Sequence, residues 1–210
     1  LLPFISYSQE LKWIYKIGGV NADYGNGLAI DEGQNVYDIT NFVGNAIISQ
    51  NFTATSRGQE DILIRKSTSL GHQQWVKQIG SKGQDIGYDV TVDAQNFIYV
   101  AGTFRDTLFY DGVSILNGNQ TTQSSFILKI NSDGDIVWAY KLSSDVAVSV
   151  KTVTSGLGQD LLISGSFEGT CTFGADTSRI SNGGNDLFLL KLNRVTSDLI
   201  FVKTIGSTDH

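Results

Sequence analysis

Apolar and polar residues alternate in short runs along this chain, and each run closes in Gly, Asn, Asp or Ser. A period of two marks a strand with one face buried, and no segment holds the 3.6-residue period of a helix. The runs recur in a fixed order. WIYKIGG begins at Trp13, WVKQIGS at Trp75, WAYKLSS at Trp138 and FVKTIGS at Phe201, positions 62, 63 and 63 residues apart. Three other words keep the same register. GLAID (Gly27 to Asp31) is matched by DVTVD (Asp89 to Asp93) and more loosely by SVKTV (Ser149 to Val153). VYDITNF (Val36 to Phe42) is matched by IYVAGTF (Ile98 to Phe104) and LISGSF (Leu162 to Phe167). DILIRK (Asp61 to Lys66) is matched by SSFILK (Ser124 to Lys129) and DLFLLK (Asp186 to Lys191). Each period thus predicts four strands, A to D, ending in the Trp word. Tight turns such as Asp31 to Asn35 (A–B) and Asn131 to Asp135 (C–D) are rich in residues that tolerate positive φ or bond their own backbone.

Four antiparallel strands repeated about an axis describe a β-propeller blade. The expected fold is all-β, with three complete blades at approximately 18–79, 80–142 and 143–205. Residues 11–17 are expected as an outer D strand of a preceding or closing blade, and 206–210 as the start of a further one. Propellers close with about four to eight blades. The segment is therefore expected to belong to a larger propeller of about six to eight blades, sealed when the leading D strand pairs with distant A–C strands. Closure by a second copy of the chain is the rival.

The words resemble a known family. Trp13, Ile17, Gly18, Gly19, Asp23, Gly25, Asp31, Asn35, Tyr37, Asp61 and Lys66 follow the pattern of the SBBP-type β-propeller repeat. Trp75, Ile79, Gly80, Asp85, Gly87, Asp93, Asn96, Tyr99, Gly102 and Lys129 repeat it. The resemblance implies a bacterial or archaeal cell-surface or secreted protein. The third copy departs, with Ser143-Ser144 in place of the Gly pair and Ala147 in place of a turn glycine. The first puts Asp38 at an apolar strand position and Thr40 where Gly102 and Gly165 stand. The hairpin from Asp133 to Trp138 also resembles quinoprotein-type propellers, which would imply a quinone and paired metal-binding residues; no run marks them.

Composition narrows the function classes. Hydrophobic residues make up 40% of the chain and aromatic ones 10%, enough to fill a core. Twenty-one acidic against 15 basic residues give a net charge of −6, which disfavours nucleic-acid and anionic-membrane partners. No run approaches the roughly 18 apolar residues of a membrane span. A single Cys, Cys171, rules out an internal disulfide framework, and it reads as a small apolar core residue. His72 falls in a C–D turn with no nucleophile context.

Trp13, Trp75, Trp138 and Phe201 read as blade-packing aromatics, because a requirement repeated every period belongs to the scaffold. Asp23, Asp31, Asp85 and Asp93 read as acceptors for turn N–H groups, with Ca²⁺ ligation the alternative. Asn51-Phe52-Thr53 and Asn119-Gln120-Thr121 are glycosylation sequons. The periods differ most in the polar B–C connections, 43–60, 105–123 and 168–185, where a rigid scaffold carries its binding function. The sequence predicts a non-catalytic extracellular or cell-surface scaffold. It would meet protein or glycan partners, or further copies of itself, through the B–C loops, with no catalytic, cofactor or metal residue assigned. The alternative is a propeller enzyme, of glycosidase or lyase type, at the channel mouth, with Asp23 and Asp85 nearest; Asp145 repeats them, which favours structure.

Overall fold

The computed structural model describes residues 12–49, 52–156 and 158–207. The first period forms β1 (Asp23–Ile30), β2 (Val36–Phe42), β3 (Asn45–Ser49), β4 (Phe52–Thr55), β5 (Asp61–Ser67) and β6 (Gln73–Gly80). The second forms β7 (Ile86–Val92), β8 (Ile98–Phe104), β9 (Thr107–Tyr110), β10 (Val113–Asn117), β11 (Ser124–Ile130) and β12 (Ile136–Ser144). The third forms β13 (Ala147–Ser155), β14 (Asp160–Glu168), β15 (Thr170–Gly174), β16 (Thr177–Ile180), β17 (Asp186–Asn193) and β18 (Leu199–Ile205). The described residues contain no helix.

Strands A to D pair antiparallel and in chain order within each period: β1-β2-β5-β6, β7-β8-β11-β12 and β13-β14-β17-β18. The central strands β2, β5, β8 and β11 are buried on both faces, and their Val, Ile, Leu, Tyr and Phe residues suit that position. Successive sheets pack face to face. Tyr37, Ile39, Ile62, Ile64 and Ile79 of the first sheet form one cluster with Val90, Val100, Phe126 and Leu128 of the second. Tyr99, Ala101, Ile127 and Leu142 form the next with Val148, Val150, Ile163 and Leu190 of the third. The second sheet thus meets the first through its front face and the third through its rear face. Among the described residues the three sheets do not close into a ring.

Two expectations change. Residues 12–17 keep the alternation of exposed and half-buried positions but form no strand. A strand needs a neighbour, and no A–C set lies beside this segment among the described residues. Only Gly18 is bridged, to Ile47. The B–C connections, expected as polar loops, instead hold the hairpins β3–β4, β9–β10 and β15–β16. Each reaches back to the preceding period. β9 pairs with the end of β6 through Ile79–Tyr110 and Gly80–Phe109. β15 pairs with the end of β12 through Ser143–Thr172 and Ser144–Cys171. Ala46, Leu108 and Cys171 occupy one repeat position in these hairpins, and Ile48, Tyr110 and Phe173 another; all six are buried. In each hairpin the second residue of the pair is larger than the first, and both belong to the apolar clusters that the sheets form.

Candidate functional site

The repeated aromatic residues lie at the junctions between sheets. Trp13 Nε1 donates to Ser69 O at 2.9 Å, Trp75 Nε1 to Ser132 O at 3.0 Å and Trp138 Nε1 to Arg194 O at 3.2 Å. Each acceptor is a carbonyl in the C–D turn of the following period. A lysine of strand C reaches the same carbonyl in two of them: Lys66 Nζ to Ser132 O at 3.0 Å and Lys129 Nζ to Arg194 O at 2.8 Å. Burial lowers the Lys129 ammonium below its ordinary value, with Asp93 pulling it back up. Phe201 has no N–H to offer, and Lys191 turns instead to Asp160 at 2.5 Å.

The aspartates are consumed by turns. Asp31 Oδ1 accepts from Asn35 N, and its Oδ2 accepts from the Tyr37 hydroxyl at 3.0 Å. Asp93 accepts from Gln95 N and Phe97 N, and from the Tyr99 hydroxyl at 2.9 Å. Asp23 accepts from Gly19 N and Asp145 from Thr170 N. Asp85 accepts from Ser81 N, Ser81 Oγ and Arg105 N, and is fully buried. Burial raises its carboxyl, hydrogen bonds from Ser81 lower it and the neighbouring Asp61 charge raises it, leaving it at about 7. No group of three or more His, Cys, Asp or Glu able to hold a metal ion occurs among the described residues. Asp23 and Asp85 accept from their own turns, Asp85 and Asp145 also reach N–H groups of the B–C connection in Arg105 and Thr170, and no hydrogen bond joins the three among the described residues.

The other sequence candidates separate. Asn119 is exposed, and its Oδ1 accepts from Thr121 N and Thr121 Oγ1. Asn51 lies outside the described residues. His72 is exposed in its turn. Cys171 is a buried free thiol that burial pushes up to about 12. An open polar cleft of about 590 Å³ lies where the first two B–C connections meet the turn before β7. Gln59, Lys82, Gln84, Arg105, Asp106 and Gln120 line it. Its hydrogen-bonding side chains suit hydroxyl-rich or amide-rich ligands.

The stretch from β6 through β7 to β8 carries a complete junction: Trp75, the Ser81–Asp85 turn and the Asp93–Tyr99 hairpin. Residues 74–103 match the SBBP beta-propeller repeat. An uncharacterized WD repeat-containing protein of Acanthamoeba polyphaga mimivirus is 25% identical over 92% of this chain. The chain spans 16% of that protein's length. The SBBP resemblance therefore holds at the second Trp word and the A and B strands after it, and the four-stranded antiparallel sheets suit a propeller repeat. Among the described residues no helix is long and apolar enough to cross a membrane.

Sequence reasoning missed one feature of the first blade. Asp38 and Arg65 face each other across β2 and β5, with Arg65 Nη2 to Asp38 Oδ2 at 2.8 Å. The equivalent positions hold Val100 and Leu128 in the second blade, and Ile163 and Leu190 in the third, all fully buried. Tyr15 covers the guanidinium at 4.2 Å. The signal was present: Asp38 had stood out at an apolar strand position, and Arg65 breaks the same alternation.

Proposed function

We propose that this chain is a non-catalytic β-propeller scaffold of the extracellular or cell-surface type, binding protein or glycan partners on the side where its B–C connections emerge. The polar cleft between Gln59, Lys82, Arg105 and Gln120 carries this reading, because two successive B–C connections build it. The repeated Asp, Trp and Lys groups are committed to turns and junctions, which leaves recognition to the positions that differ between repeats. Lining by amide and charged side chains favours polar contacts such as those made by glycan hydroxyls or peptide backbone. Arg105→Ala with Gln120→Ala is expected to abolish binding on glycan and protein arrays while leaving the unfolding midpoint near that of the parent. Unchanged binding by a folded double variant refutes the site. Surface location is tested by protease shaving of intact source cells, where release of peptides from the chain is expected and complete protection refutes it.

A propeller enzyme remains the second reading, and Asp85, with its carboxyl raised to about 7, is the observation behind it. The carboxylate is enclosed by its own turn, which favours a structural role. Glycoside turnover that disappears in Asp85→Asn while the fold persists would establish this reading instead.

A further inference from the structure

We propose that the polar cleft between the first two repeats selects acidic glycans, holding a sugar carboxylate between Lys82 and Arg105. The proposal rests on the reading of this cleft as the binding site and names its ligand class. The cleft is preformed by backbone contacts. A Cβ at Gly58 would collide with Gly83 O, and one at Gly83 would stand 2.6 Å from Arg105 Cβ. Gln59 N donates to Gly83 O at 3.0 Å, and Asp106 N to Asn119 O at 3.0 Å. These contacts tie the segment before β5, the turn before β7 and the connection after β8 together. The lining side chains are therefore placed before a ligand arrives, which lowers the ordering cost of binding.

The charges belong to this cleft and not to the repeat. One period away, Lys82 and Arg105 correspond to Val20 and Val43 in the first repeat, and to Asp145 and Glu168 in the third. The same two positions are apolar, basic and acidic in turn, whereas a scaffold position such as that of Trp13, Trp75 and Trp138 keeps its chemistry. Lys82 is exposed and makes no ion pair or hydrogen bond among the described residues. The half-buried Arg105 commits only Nη1 of its guanidinium, to the Thr121 carbonyl at 2.9 Å. The carboxylates of the adjoining segments are engaged or enclosed. Asp106 accepts from Thr107 N and Gln120 Nε2, Glu60 accepts from Gln84 Nε2 at 2.9 Å, and Asp61 and Asp85 are fully buried. An ammonium and a planar guanidinium fork on one cleft suit a carboxylate. The remaining lining favours sugar over peptide. Gln59, Gln84 and Gln120 each carry donors and an acceptor, matching hydroxyls that do both, and no apolar side chain lines the cleft.

The test is calorimetric titration of the 210-residue chain with trigalacturonate, its neutral methyl ester and a tetraglutamate peptide. Trigalacturonate is expected to bind, with an affinity that falls as salt is raised, and the ester to bind about tenfold or more weakly. Lys82→Asp with Arg105→Glu copies the residues of the third repeat, and is expected to abolish trigalacturonate binding while leaving the unfolding midpoint near that of the parent. Lys82→Gln alone should weaken binding by about three- to tenfold. Equal binding of acid and ester, or trigalacturonate binding unchanged in either folded variant, overturns the proposal. Binding of the ester alone or of tetraglutamate alone also overturns it, but leaves the cleft standing as the binding site. Failure of all three probes overturns it as well; the cleft itself falls only if array binding also survives Arg105→Ala with Gln120→Ala.

Discussion

The Asp38–Arg65 pair supplies a quantitative test of how the first blade differs from the other two. Both side chains are largely enclosed, at 15% and 7% exposure. Burial raises the Asp38 carboxyl above its ordinary value despite the neighbouring guanidinium, so desolvation outweighs the attraction. Arg65 Nη1 is buried without a partner. A buried pair of this kind is typically about 1–4 kcal/mol less favourable than well-packed aliphatic residues of similar volume. Such residues already stand at Val100 and Leu128. Losing the contact of Tyr15 with Arg65 subtracts about 0.5–1 kcal/mol. The double variant Asp38→Val/Arg65→Leu is therefore expected to be about 0–3.5 kcal/mol more stable than the parent. Either single variant leaves one charge buried alone and is expected to lose about 3–5 kcal/mol. Urea unfolding of all four proteins closes the double-mutant cycle. Two single costs that simply add, or a double variant less stable than the parent, would refute the reasoning.

Three further outcomes follow from the junctions. A Cβ at Gly80 would stand 1.9 Å from Asp61 Oδ2, so Gly80→Ala should lose about 1–3 kcal/mol in urea unfolding. Adding Asp61→Ser should restore much of it, as the equivalent Ser124 and Ser143 coexist in the second blade, and failure to restore would count against that steric reading. Asp85 has a folded value of about 7, raised from 3.8, so its favourable contribution is full below about pH 4 and lost as pH rises through 7. The stability difference between parent and Asp85→Asn should accordingly change across pH 4–7, and a flat difference would contradict the shift. Cys171, buried and pushed up to about 12, should resist a thiol reagent at pH 8 in the native protein and react fully once unfolded; native reactivity would refute its enclosure.

The strands were legible because each repeats a local signal. An apolar–polar run bounded by turn residues fixes both the element and its buried face. β2 and β8 coincide with the VYDITNF and IYVAGTF words. The hairpins within the B–C connections were overlooked because those segments are polar overall, although a local signal existed at one of them. Asp111 and Gly112 have φ of 49° and 91° and stand between two short apolar runs, the pattern of a tight hairpin. Their docking onto the preceding sheet is a long-range pairing that composition does not encode.

Junction chemistry was legible only in part, and the reason is geometric. A residue's repeat position shows that it is constrained, but the constraint often acts across sheets. Trp75 and Lys66 converge on Ser132 O, 57 and 66 residues away in sequence. Asp61 and Gly80 are matched by Ser124 and Ser143, so the apparent loss of the third Gly pair begins as a change in the C strand of the second blade. The Ser143-Ser144 departure is thus a paired change within one sheet. It weakens the short motif, and the carboxylate that Gly80 leaves room for in the first blade has no counterpart at Ser124. Paired changes of this kind alter the letters by which a repeat is recognised, and the match at residues 74–103 falls on a stretch that keeps them.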